Sequence, residues 1–385
     1  ICPNGFLPLI KTDTDDAAVT LGVRGENAGW RWDLSGQHGR NAVDFTISNT
    51  LNRSLGETSP TEFDAGGLRY AQSLFNLDVS RDLALGFAQS TTLSLGAEYR
   101  QERFDIRPGE PDSYRNRTAG GAIGAQSFAG FQPVVAGQRV DQPYKRHNLS
   151  AYAEVDSDLT DRLNVQGALR FERYSDFGSD LNWKLAGRYE PVEGVAVRGS
   201  VSTGFRAPSL QQQFYAAQST NNVAGVLLDT VTLPVSNPAA AALGARPLEA
   251  EQSISYSAGL VFSAVPRLSV TVDAYQVSID DRIVITENLG AFGTPTQNAA
   301  VRAVLAAAGF PSVQAARFFI NGIDTRTRGL DVVATYRVPQ QGWGRLTLSG
   351  GLNVNRTKIT RNDAELGPLA SIPDLVLFGA QQLLG

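Results

Sequence analysis

Leu163-Asn164-Val165-Gln166-Gly167-Ala168-Leu169-Arg170-Phe171 is the stretch that decides how this chain is read. Leu163, Val165, Gly167, Leu169 and Phe171 make one set, and Asn164, Gln166, Ala168 and Arg170 make the other. Side chains with that period stand on opposite faces of an extended strand, one face apolar and one polar. The pattern returns at 93–99, 195–202, 330–336 and 346–354, and it occurs from Ala17 to Leu352. Candidate strands such as 29–51, 68–81 and 318–338 are about 10–20 residues long, against about 5–6 in soluble sheets.

The connections between these segments alternate in length. Short ones lie near 25–28, 160–161, 191–194, 264–267 and 339–344, with a somewhat longer one at 82–91. Long ones lie near 52–67, 105–145, 206–250, 287–316 and 362–373, and 175–180 is a short member of this second class. Antiparallel neighbours with tight turns at one end and long loops at the other describe an outer-membrane barrel. The expected fold is all-β: an antiparallel transmembrane β-barrel segment of about twelve long strands, with short periplasmic turns and long extracellular loops. Residues 1–385 are expected to be part of one barrel domain, without a plug domain. Trp30, Tyr70, Tyr99, Tyr174, Tyr189, Tyr256, Tyr275 and Tyr336 lie near strand ends, where interfacial girdles form. Two helical stretches, 299–308 ending at Gly309 and 238–244, read as decoration on loops.

Composition narrows the function. The 385 residues are 42% hydrophobic and 19% charged, with a formal net charge of −4. The mean hydropathy is −0.16. No basic field invites nucleic acid, and no apolar run of about 18 residues makes a helical membrane span. Cys2 is the single cysteine, which excludes an internal disulfide and a cysteine zinc site. His38 and His147 are far apart, so no metal centre and no cofactor are expected. The sequence starts at Ile1 and has no Met, so it is expected to be a piece of a longer polypeptide with no signal peptide to read. No nucleophile, base and acid recur in a catalytic motif, and Gly120-Gly121 and Gly350-Gly351 lack phosphate-loop spacing. Asp280-Asp281 reads as a paired strand end more readily than as a cation site. Asp13, Asp15 and Asp16 lack the later Gly and Glu of a calcium loop.

Several stretches resemble the barrel of a TonB-dependent outer-membrane receptor. They are STGFRAPSL at 202–210 followed by Gln211–Gln213, DAYQVSIDDRI at 273–283 and FFINGIDTRTRGLDV at 318–332. LTDRL at 159–163, RFERYSDFG at 170–178 and the segment 247–256 fit the same pattern. The Phe205-Arg206-Ala207-Pro208 cluster carries the most weight, because Pro208 lacks an N–H and ends the ladder. The resemblance implies about 22 strands, a plug domain, a short TonB-contacting segment and a last strand ending in an aromatic residue; this sequence holds roughly the middle of such a barrel. It implies TonB-energised uptake of a scarce nutrient, of the siderophore-iron, cobalamin or oligosaccharide class, in the bacterial outer membrane. The implied partners are outer-membrane lipid, a small ligand such as a metal chelate or sugar, and TonB acting through the plug.

The interleaved residues Arg170, Glu172, Arg198, Asp273, Asp331, Asn353 and Asn355 should line a wet lumen. Charge on the lipid face would cost about 2–4 kcal/mol at the midplane. Ligand recognition is expected on the two longest connections, through Tyr114, Arg115, Arg117, Phe128 and Phe131 on one and Phe214 and Tyr215 on the other. Basic and aromatic groups suit an anionic or aromatic chelate, and Asn221 and Asn222 would suit a sugar. The competing readings are a passive porin or autotransporter-type translocator, and an outer-membrane lipase or protease with its site on the loops.

Overall fold

The computed structural model describes residues 7–117, 124–135, 137–223, 226–291, 294–339, 342 and 344–361. Cys2, Gly120, Gly121 and the connection 362–373 lie outside the described residues. Twelve long strands follow in order: β1 (Leu9–Asn27), β2 (Trp30–Ser48), β3 (Glu62–Leu83), β4 (Ser90–Arg107), β5 (Tyr144–Thr160), β6 (Leu163–Tyr174), β7 (Gly178–Val192), β8 (Val195–Arg206), β9 (Glu251–Phe262), β10 (Leu268–Ile285), β11 (Phe319–Arg337) and β12 (Thr347–Arg361). Each pairs antiparallel with its sequence neighbours, so sheet order is chain order. That meander puts the short links on one rim and the long connections on the other, as the alternation predicts. At the β1–β2 link Ala28 and Gly29 both have positive φ, 51° and 78°. Two such residues make a hairpin turn whose twist matches its strands.

The two faces of the sheet carry different chemistry. On the inner face, the one the long loops cover, Tyr152 reaches across Gly96 and donates to Asp78 at 2.6 Å. Arg198 reaches across Gly259 to Asp273 at 2.8 and 2.6 Å. A Cβ on either glycine would collide with the Tyr152 ring or the Asp273 carboxylate, so both bridges depend on the missing side chain. Arg170 pairs with Glu172 on the same face at 2.6 Å. Leu163, Val165, Leu169, Val195, Val197 and Leu348 share the opposite face by register, and Leu346 is exposed just before β12. Leu181, Leu185 and Leu352 join them, all exposed.

Four of the expected girdle tyrosines, Tyr99, Tyr189, Tyr256 and Tyr336, are exposed on the outer face. Three others are not there. Tyr70 and Tyr174 face inward and donate to Glu102 at 2.5 Å and Glu172 at 3.0 Å. Tyr275 lies over Gly329 on the inner face. Strand parity, not nearness to a strand end, decides the side on which a tyrosine emerges.

The connections 49–61, 108–143, 207–250 and 286–318 fold into a cap with its own core. A four-stranded sheet joins Phe128–Ala129, Ala217–Val223, Val226–Thr232 and Ala315–Arg317 from three of them. The fourth connection is tied in by Asn52, whose side-chain amide donates to the Asp112 and Arg115 carbonyls at 2.8 Å. The helices expected to be decoration are instead central. Val301 and Leu305 of the helix Pro295–Ala307, and Ala239 and Ala240 of the helix Pro238–Ala242, are fully buried in the same apolar cluster that contains Phe104 and Ile106 of β4. The longer helix starts earlier than its apolar pattern suggests. Thr294 and Gln297 cap its first turn reciprocally, and Pro295 needs no N–H partner there.

Two predictions follow from these placements. Leu185→Arg, mid-strand on the outer face, should cost the folded barrel about 2–4 kcal/mol. Val197→Arg, beside Tyr189 near the turn rim, should cost less, and Ser200→Arg on the inner face least; membrane assembly read by heat-dependent gel mobility checks the order. The second concerns Asp229 in the cap sheet, which accepts from Thr220 at 2.8 Å. Burial raises its pKa above the usual carboxylate value, with Thr220 and Arg53 opposing. A raised folded pKa means the stabilising contribution is full below the unfolded pKa and is lost as pH rises through the folded one. Asp229→Asn should therefore slow proteolysis of the cap at pH 7.5 and have no such effect near pH 3.

Candidate ligand site between the cap and the wall

The inner wall beneath the cap holds a dense ionic network built by strand alternation. Glu98, Arg100 and Glu102 come from every second position of β4, Arg146 from β5, and Arg170, Glu172 and Tyr174 from β6. Arg146 donates to Glu102 at 2.7 Å and lies 3.6 Å from Asp176. Its guanidinium also sits 5.3 Å over the Tyr174 ring. Arg100 pairs with Glu98 at 2.7 Å, and Asn148 and Tyr174 donate to Glu172. Only 5% of the Arg146 side chain is exposed. A charge buried that deeply is tolerated because each of its three nitrogens donates to an acceptor.

The same arginine ties the wall to the loop that follows β8. Gly204, Phe205 and Arg206 end that strand, and Pro208 stops the ladder. Ser209 then caps the short helix Leu210–Phe214 together with Gln212. Arg146 donates to the Pro208 carbonyl at 2.6 Å, and Gln213 donates to Asp176 at 3.1 Å. Arg206 pairs with Glu251 of β9, and Glu251 also accepts from the Ile283 N–H at 2.7 Å.

Between this wall and the cap lies a cavity of about 790 Å³. Arg100, Glu102, Arg146, Tyr174, Arg206 and Tyr215 are among its lining residues. Arg206 is the most exposed of its arginines, with 58% of its side chain exposed. Burial pushes the Tyr215 hydroxyl up in pKa, with Arg317 opposing. The mix of guanidinium, carboxylate and aromatic surface can hold a polar ligand with a flat apolar portion.

The structure brings together some of the residues singled out from the sequence and separates others. Phe131 meets Phe128, Tyr215 and Phe45 of β2 edge to face, and Phe45 also lies tilted against Phe128, with ring centroids 5.3–6.0 Å apart. Phe214 stacks on Tyr144 at 3.9 Å. Phe131 is 1% exposed and belongs to the core of the cap. Of the seven, Tyr215 lines the cavity. Tyr114 ends the short helix Pro111–Tyr114, and the exposed Arg115 and Arg117 follow it, Arg117 lying 3.5 Å from Asp112. Sequence reasoning missed Arg146 and Glu102. Their signal was present, as charges at every second position of strands whose other face is apolar.

The acidic runs resolve as strand features. Asp281 occupies a bulge with φ 55° and pairs with Arg361 at 2.6 Å, and Arg361 also holds Asp324 at 2.6 Å. Asp13, Asp15 and Asp16 lie within β1 and not on a loop. Their partners are Lys11, Arg40 and Asn41, so the three do not converge on one point. No group of three or more possible metal ligands occurs among the described residues.

Comparison with known proteins places this wall. Residues 3–381 match the family described as TonB dependent receptor-like, beta-barrel. The chain is 28% identical over 133 residues to the ferrienterobactin receptor of Escherichia coli (strain K12), covering 34% of this chain and 16% of that protein. It is 26% identical over 122 residues to the vitamin B12 transporter BtuB of Vibrio vulnificus (strain CMCP6), covering 32% of this chain and 16% of that protein. A crystal structure of a mutant ferric enterobactin receptor (PfeA) from Pseudomonas aeruginosa aligns with TM-score 0.58 at 16% identity, over 91% of this chain and 44% of that one. The matched region is thus about a sixth of each of the two sequence relatives and less than half of the solved structure. With the twelve-strand meander and its polar inner face, these matches show that the chain belongs to the β-barrel of the TonB-dependent receptors, proteins of the bacterial outer membrane.

Proposed function

We propose that this chain forms wall and outer mouth of a receptor for TonB-energised uptake of a scarce nutrient, of the siderophore-iron, cobalamin or oligosaccharide class. The observation that carries this reading is the cavity between the folded cap and the charged inner wall, in a chain of this family. A passive pore needs no folded cap across its mouth, whereas a receptor needs a shaped surface to hold dilute cargo. The chain binds and passes cargo and performs no chemistry on it. TonB does its work through the plug of the whole receptor.

Within the site, Arg206 and Tyr215 meet the ligand in the cavity, Arg206 attracting an anionic group and Tyr215 stacking on a flat one. Tyr114, Arg115 and Arg117 contribute at the outer surface of the mouth. Phe128, Phe131 and Phe214 act by holding the cap in shape. An anionic metal chelate suits this arrangement better than a neutral sugar, because Arg206, paired on one side with Glu251, is the most exposed of the three arginines that line the cavity.

The test uses the intact receptor in whole cells, with a panel of iron-loaded anionic siderophores, cobalamin and neutral oligosaccharides. Uptake of one panel member should depend on TonB and on the proton gradient, while its binding persists without either. Arg206→Gln should weaken that binding about tenfold, the scale of one charge-assisted hydrogen bond. TonB-independent uptake would favour the passive pore, and unchanged affinity in the variant would remove Arg206 from the site.

A further inference from the structure

One ladder of the barrel sheet stops short of the loop side. Each of the others reaches within one residue of the loop-side end of at least one of its two strands, as far as these are described. The β7–β8 ladder ends at Lys184 opposite Ser202, so 178–183 and 203–206 form no pairs with each other. Both strands continue on their other edges, β7 along β6 to Gly178 and β8 along β9 to Arg206. The rim is also low beside this seam. Residues 175–177 join β6 to β7 and supply neither a strand nor a core residue to the cap. Leu181 stands eight residues above Tyr189 on β7. At about 3.4 Å per residue and a tilt of about 40°, that is about 21 Å along the membrane normal, close to the loop-side edge of an apolar belt about 25 Å tall. Above that edge water can pair the freed backbone groups, so the wall tolerates a seam there.

Side-chain hydrogen bonds span the seam in place of backbone ones. At its base the Trp183 N–H donates to Thr203 Oγ1 at 3.0 Å. Gln252 of β9 reaches past β8 and donates to Asp180 of β7 at 2.7 Å, and Gln213 donates to Asp176 above them. All three bonds are exposed. Phe205 fills the space between. By strand parity it belongs with Val197 and Val201 on the outer face, yet it lines the cavity, and its ring centroid lies 5.9 Å from that of Tyr174 and 6.4 Å from that of Phe177. A continuous ladder would hold it on the lipid side, away from an inner-face tyrosine. One ring and three exposed hydrogen bonds close the seam, so it opens more readily than any segment of the wall paired on both edges.

We propose that the seam between β7 and β8 is a gated side entrance from the outer medium to the cavity, with Phe205 as its stopper and Thr203, Gln252 and Gln213 as its latches. Its use by cargo rests on the cavity being the cargo site; the opening itself does not.

The test reads the opening without cargo. In the intact receptor with its native cysteines, Cys2 among them, changed to serine, Leu68→Cys places a thiol on the β3 side of the cavity. Labelling of that thiol by fluorescein maleimide is followed with time. Phe205→Ala should raise the rate about tenfold, the scale of one partly buried ring. Phe319→Ala, which also lines the cavity but lies on β11, should leave the rate at its starting value. Heat-dependent gel mobility verifies folding of each variant. The receptor without substitutions gives a second measure that decides alone if Phe205→Ala does not fold. Amide hydrogens of 178–183 should exchange about tenfold faster than those of 169–174, which stand at the same height and are paired on both edges. Equal labelling rates in Phe205→Ala and Phe319→Ala, or equal exchange in the two segments, overturns the proposal. A seam that opens as stated while Arg206→Gln leaves cargo affinity unchanged upholds the entrance and rejects only the cargo site.

Discussion

Everything in this chain depends on one constraint: a strand in hydrocarbon must pair its whole backbone while its side chains alternate between lipid and water. Among the described residues, the ten strands from β2 to β11 meet it by antiparallel pairing on both edges, and β1 and β12 do so on one. Because the period is two, the face turned away from lipid is free to carry charge. Arg170, Arg198, Asp273 and Asp331 all use that freedom. Glycines then extend it, since Gly96 and Gly259 let Tyr152 and Arg198 reach acids two strands away. The inner face is thereby braced across strands as well as along them.

The second level of organisation is the junction of wall and cap. Arg146 is the residue where they meet, because it binds Glu102 of the wall and the Pro208 carbonyl at the root of a long loop. Removing it would leave the Glu102 charge buried beside Tyr70, a penalty of about 3–5 kcal/mol for a buried pair broken on one side. Above that junction the cap behaves as a small domain. Phe131, Leu305, Val301 and Val231 fill its core, and a sheet drawn from three connections closes it. A cavity between two ordered bodies keeps its shape before cargo arrives, which lowers the ordering cost of binding.

The strands, their alternation and the two rims were legible in the sequence because they rest on local periodicity and on link length. So was the lumenal face of Arg170, Arg198 and Asp273, which follows from register alone. The cap was not legible. The pairing of Val226–Thr232 with Ala315–Arg317 joins segments more than eighty residues apart, and neither shows a period long enough to announce a strand. The same holds for the aromatic cluster. Phe128, Phe131 and Tyr215 were recognisable as residues able to touch a ligand, but only tertiary packing could bury Phe131 and leave Tyr215 at the cavity. Sequence by itself determined the membrane-spanning wall, because lipid imposes a period that every strand must obey. Only the tertiary structure decided where that wall meets its loops, because a buried contact such as Arg146 with Glu102 and Pro208 is a property of chain crossing and leaves no period behind.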